Sequence, residues 1–91
     1  MRICICDDNK ETCSEIERLL NEFFSDKIKQ KTINSDFEKE IIKCYSGTSL
    51  SNPLLQGEYF DLIFLDIQLE DMLGFEIANA LRDIPFFLSL F

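Results

Sequence analysis

Three aspartates stand where two apolar runs end. Asp7 and Asp8 follow Arg2-Ile3-Cys4-Ile5-Cys6, and Asp66 follows Phe60-Asp61-Leu62-Ile63-Phe64-Leu65. If those runs form neighbouring parallel strands, all three carboxylates converge at one edge of a sheet. Three negative charges within a few ångströms repel, so such a cluster needs partial protonation or a bound cation. Oxygen-only ligands at a charged rim suit Mg²⁺, and a carboxylate beside Mg²⁺ can accept a phosphoryl group. Acceptance of a phosphoryl group on an aspartate is therefore the chemistry these residues point to.

Composition closes off the main alternatives. The chain has no histidine, which removes a Ser-His-Asp triad, a Cys-His pair and any His-ligated metal. Its net charge of −8, with no cluster of Lys or Arg to offset it, argues against direct nucleic-acid binding. With 46% hydrophobic and 29% charged residues, the 91-residue chain reads as one small soluble domain rather than a disordered segment. No apolar run approaches the roughly 20 residues that span a bilayer. The chain opens on Met1-Arg2-Ile3 without a basic leader, so a cytoplasmic location with reduced thiols is expected. Cys4 and Cys6 alternate with Ile3 and Ile5, which places both on one face of a strand as small buried hydrophobes. A thiolate metal site with Cys13, or redox sensing, are the other readings of these cysteines.

The elements that must position the aspartates follow from periodicity. Arg2 to Cys6 is short and unbroken, as in a strand buried on both faces. After Asp7-Asp8-Asn9, apolar residues Cys13, Ile16, Leu20 and Phe23 recur at helical spacing, joined by Leu19 and Phe24, with Glu11, Glu15, Arg18 and Glu22 mostly outside the stripe. Asn9 or Asp8 can cap this helix, which should run to about Ser25. A polar connection leads to a second strand, Ile41 to Tyr45, closed by Ser46-Gly47. A short helix from Thr48 to Gln56, interrupted by Pro53, stops at Gly57. Tyr59 to Leu65 is the third strand. Gly74 introduces a third helix with Phe75, Ile77, Ala78 and Leu81 on its buried face, and after Pro85 a fourth strand covers Phe86 to Phe91. Alternation of strand and helix predicts an α/β domain with a parallel sheet and helices on both faces. Ligands of such sheets bind at the carboxyl ends of the strands, where Asp7, Asp8 and Asp66 all stand.

Taken together, Ile3-Cys4-Ile5-Cys6-Asp7-Asp8-Asn9, Asp61-Leu62-Ile63-Phe64-Leu65-Asp66-Ile67 and Asp66-x7-Gly74 resemble the receiver domain of bacterial two-component response regulators. The resemblance covers essentially the whole chain. It implies a flavodoxin-like, doubly wound sheet with strand order 2-1-3-4, incomplete at its C-terminal side, so that residues 1–91 form a truncated receiver domain. It implies that Asp66 takes a phosphoryl group from the phosphohistidine of a sensor histidine kinase. Asp7 and Asp8 would hold Mg²⁺ with Asp66, and the backbone carbonyl of Gln68 would complete the protein's share of the ligands. The domain would then be a phosphorelay component and not an enzyme. The loop Asp66-Ile67-x-Leu69 resembles receivers attached to LytTR-type DNA-binding domains.

The sequence departs from the family at two places. Glu70 stands where the family usually has proline. No residue matches the lysine that ends the family's fifth strand. Ser89 is the candidate for the Ser or Thr that closes on the phosphoryl oxygen. A sheet without its last strand would expose an apolar edge at Phe86 to Phe91, so a homodimer through that edge is expected. Two other functions compete with the phosphoacceptor. One is a receiver-fold interaction or dimerisation module without switching. The other is a haloacid-dehalogenase type enzyme, which needs Asp-x-Asp where this chain has the adjacent pair Asp7-Asp8.

Overall fold

The structure, a computed structural model, describes residues 1–66, 69, 71 and 88–90. Within them, strands β1 (Arg2–Cys6), β2 (Glu40–Cys44) and β3 (Leu62–Asp66) form a parallel sheet with β1 in the centre. Helices α1 (Lys10–Lys29) and α2 (Gly47–Leu55) connect the strands. A short stretch, Leu88–Leu90 (β4), pairs parallel to β3, with Phe64 opposite Leu88 and Asp66 opposite Leu90. The third helix expected around Gly74 to Leu81, and Gln68, Glu70 and Pro85, lie outside the described residues.

The central strand is apolar because both its faces are covered. Side chains alternate across a strand, so Cys4 and Cys6 face one way and Ile3 and Ile5 the other. All four are fully buried. On the first face Cys4 and Cys6 join Cys44, Ile63 and Leu65 with Leu50 of α2, Phe60 and Leu69; Ile42 and Leu54 pack at the margin. On the opposite face lies α1. Its Glu17 reaches Lys43 at 3.1 Å, and Lys43 points away from its β2 neighbours Ile42 and Cys44. The two helices therefore sandwich the sheet.

Local chemistry explains where the elements stop. Asn9 caps α1 by accepting from the N–H groups of Glu11 and Thr12. The helix runs four residues past the expected Ser25, to Lys29. Its end is a Schellman turn in which Thr32 N–H donates to Lys27 and Lys31 N–H to Ile28. Lys31 holds the left-handed conformation there, at φ 58°. This residue lacks glycine's freedom, so the usual stop signal is missing from the sequence. The end of α2 uses the same turn with the expected residue: Gly57 has φ 86°, and Glu58 N–H donates to Pro53 while Gly57 N–H donates to Leu54. Pro53 removes the bond that would have reached the carbonyl of Ser49. The Cys44 thiol takes up that carbonyl at 3.6 Å.

The α1 stripe is narrower than its periodicity suggests. Cys13 and Phe24 are buried, but Leu19 and Phe23 are about half exposed, at 51% and 52%. Phe24 instead stacks on Phe37 from the connection that follows, with ring centroids 5.2 Å apart.

Candidate functional site

Register brings the aspartates together. Ile5 stands opposite Phe64 and Cys6 opposite Leu65, so one further step along both strands sets Asp7 opposite Asp66. Asp7 N–H donates to Cys44 O at 3.0 Å, which keeps the chain extended for one residue beyond β1. The Asp7 carboxylate accepts from Asn9 N–H at 2.9 Å, and the Asn9 side chain in turn caps α1. One short relay therefore orients the carboxylate and starts the helix.

One oxygen each from Asp7, Asp8 and Asp66 lies within 4.8 Å of the others. Asp7 is buried at 9% exposure, Asp66 is half-buried and Asp8 is open to solvent. Burial pushes the Asp7 carboxyl above its ordinary range; the Asn9 N–H opposes this, and the charges of Asp66 and Asp8 add to it. Crowding of this kind is relieved by a cation. Opposite ligands of Mg²⁺ are about 4.2 Å apart, so small side-chain rotations would gather these oxygens around one ion. The donor set, three hard carboxylates at a solvent-open rim, fits such a metal. Among the described residues, no other group of acidic, thiol or imidazole side chains forms a cluster of this kind.

The other expected residues fall as follows. Gln68 lies outside the described residues. Ser89 has its backbone in β4, opposite Leu65 and one register step short of Asp66. The cysteines do not gather. Cys4 and Cys6 lie on the α2 face, whereas Cys13 lies on the α1 helix and donates to the Asp7 carbonyl at 3.4 Å. A shared metal is thereby excluded for these three thiols. Burial pushes the Cys6 thiol up to about 12, and the contact with Cys44 raises Cys4 further still. Both are protonated packing groups at neutral pH.

One further residue at this edge, Asp71, carries no signal in the sequence. The Asp71 carboxylate accepts from Gly47 N–H at 2.8 Å, Thr48 N–H at 2.9 Å and the Thr48 hydroxyl at 2.7 Å. The Thr48 hydroxyl, with the two backbone donors, holds its carboxyl down at about 2. Its partners lie more than twenty residues away in the chain, and no local pattern marks such a contact.

Comparison with solved structures adds the fold. The chain superposes on the N-terminal domain of a response regulator/sensory box/GGDEF three-domain protein from Carboxydothermus hydrogenoformans with a TM-score of 0.70 and 26% identity. The match covers 98% of this chain and 64% of that one. The chain has the receiver fold. The signal receiver domain of a DNA-binding response regulator from Colwellia psychrerythraea 34H shares it at a TM-score of 0.72 and 20% identity, over 98% of this chain and 66% of that one. Response regulator DrrB of Thermotoga maritima, an OmpR/PhoB homologue, matches at 0.59 and 21% identity, over 99% of this chain and 36% of that one. The chain thus spans just under two thirds of the first two receiver structures. No protein-family model and no curated protein sequence matches it. In this chain the acidic cluster stands at the carboxyl edge of that sheet. Among the described residues, no helix is long and apolar enough to cross a membrane.

Proposed function

We propose that the chain is a phosphoacceptor receiver domain that takes a phosphoryl group on Asp66. The observation that carries this reading is the meeting of Asp7, Asp8 and Asp66 within 4.8 Å at the carboxyl edge of a receiver-fold sheet. A bound Mg²⁺ would offset the three charges and neutralise the oxygens of the transferred group. Asp7 and Asp8 would hold that ion, with Asp66 and the backbone carbonyl of Gln68 as further ligands. An Asp66 carboxylate oxygen forms the new O–P bond as the P–N bond to a kinase phosphohistidine breaks, and the freed imidazole takes a proton from solvent. The protein positions the group and stabilises charge and does not turn over as an enzyme.

The domain reading extends to the rest of the chain. Residues 1–91 form a receiver domain whose four strands stand in the order 2-1-3-4, with β4 beside β3. Its loop after Asp66 is of the kind found before LytTR-type output domains. Its partners are a sensor histidine kinase in the cytoplasm and a second copy of the chain paired through the C-terminal edge strand, with no direct contact to nucleic acid. Borohydride reduction after treatment with acetyl phosphate tests the central assignment, because it converts an aspartyl phosphate to homoserine. Peptide masses should place the homoserine at position 66. Reduction at another aspartate would reassign the acceptor.

A further inference from the structure

We propose that Asp71 is a positioning residue for the acidic pocket: by clamping the first turn of α2 it fixes the course of the chain that leaves Asp66. This rests on the metal-binding reading of Asp7, Asp8 and Asp66. The pocket draws on two strands, and something must hold their carboxyl ends at a set separation. The carboxyl end of β1 is tied twice to the junction between β2 and α2. Asp7 N–H donates to Cys44 O at 3.0 Å, and the Cys6 thiol donates to Ser46 O at 3.4 Å. The segment after β3 is tied to the same helix twice. Leu69 is 5% exposed in the cluster that contains Leu50, and Asp71 accepts three hydrogen bonds from Gly47 and Thr48.

These ties close a ring around the carboxyl edge of the sheet. It runs from Asp7 through Cys44 and Ser46 to Thr48, across to Asp71, and back by Leu69 to Asp66. Among the described residues of this segment, the Leu69 side chain is the other link to the cluster that contains Leu50 of α2. Outer groups that orient ligands commonly matter to metal affinity by tenfold or more. Asp71 also satisfies N–H groups at the α2 terminus, where a negative charge meets the positive end of the helix dipole. A pure capping role and a positioning role therefore need separating.

Ser46 supplies the control. Its side chain caps the same helix by accepting from Ser49 N–H at 3.1 Å, and among the described residues it makes no bond to Leu69 or Asp71. Mg²⁺ affinity is measured by titration calorimetry on the parent, Asp71→Ala, Asp71→Asn, Thr48→Val and Ser46→Ala proteins, each checked for folding by circular dichroism. Asp71→Ala should bind Mg²⁺ about tenfold more weakly. Asp71→Asn, which keeps one acceptor oxygen, and Thr48→Val, which removes one donor, should lie between. Ser46→Ala should bind like the parent even where its melting temperature falls. Parent-like affinity in the Asp71 variants, or an equal loss in Ser46→Ala, would overturn the positioning role. If Asp71→Ala does not fold, Asp71→Asn and Thr48→Val decide the matter on the same criterion. A parent protein that binds no Mg²⁺ would instead overturn the reading of the pocket, and the role of Asp71 with it.

Discussion

Asp7 shows how one residue is tuned by its neighbours. Its carboxyl is buried behind the end of β1, faces Asp66 across the register, and is offset only in part by Asn9 N–H. A carboxyl raised in the folded state lets the native protein hold its proton to higher pH than the unfolded chain does. Stability then falls as pH rises from the ordinary carboxylate range through the folded value. Without Mg²⁺, Asp7→Asn should therefore be more stable than the parent at neutral pH. The gap should close as pH falls below the ordinary carboxylate range, which urea midpoints at several pH values would reveal. In saturating Mg²⁺ the order should reverse, because the variant loses a ligand. The meeting of Asp7, Asp8 and Asp66 was legible because position at a strand end and a charged side chain coincide. Asp71 was not legible, because its meaning arises only when α2 folds against the segment after β3.

At the scale of elements, β1, the three-strand parallel core and the stop of α2 at Gly57 could all be read from apolar runs and turn residues. The end of α1 could not. A lysine occupies the left-handed position that glycine usually marks, so the chain carries no signal there. That substitution has an energetic consequence. A residue with a β-carbon is strained in this conformation by about 1–2 kcal/mol, of which glycine's greater unfolded freedom returns roughly half. Lys31→Gly should therefore stabilise the fold by about 0.5–1 kcal/mol and raise the melting temperature by a few degrees. A lower melting temperature would show that the Lys31 side chain makes a compensating contact. The exposure of Leu19 and Phe23 has a similar origin. Helical periodicity identifies a stripe, but how much of it is covered depends on what packs alongside, and here Phe37 covers Phe24.

For the whole molecule, the alternation of strands and helices was enough to anticipate a parallel sheet with a helix on each face. It was enough because each crossover is local in sequence and each strand carries its own burial pattern. Completeness of the sheet is a different matter, since it depends on how an exposed edge is covered. The proposed pairing through β4 predicts a sedimentation-equilibrium mass near twice the 10.6 kDa of the chain, and Leu90→Lys should shift it toward one. A parent protein that sediments as a monomer at tens of micromolar would rule out that dimer. Phosphoryl transfer to Asp66 does not depend on oligomeric state; it depends on the acidic edge. Its most direct test is the intact mass of the protein after incubation with acetyl phosphate, with and without Mg²⁺, beside Asp66→Asn. The expected result is a gain of one phosphoryl mass that requires Mg²⁺ and is absent from the variant. A folded protein that gains no mass under any condition, or a variant that gains it as the parent does, would contradict it.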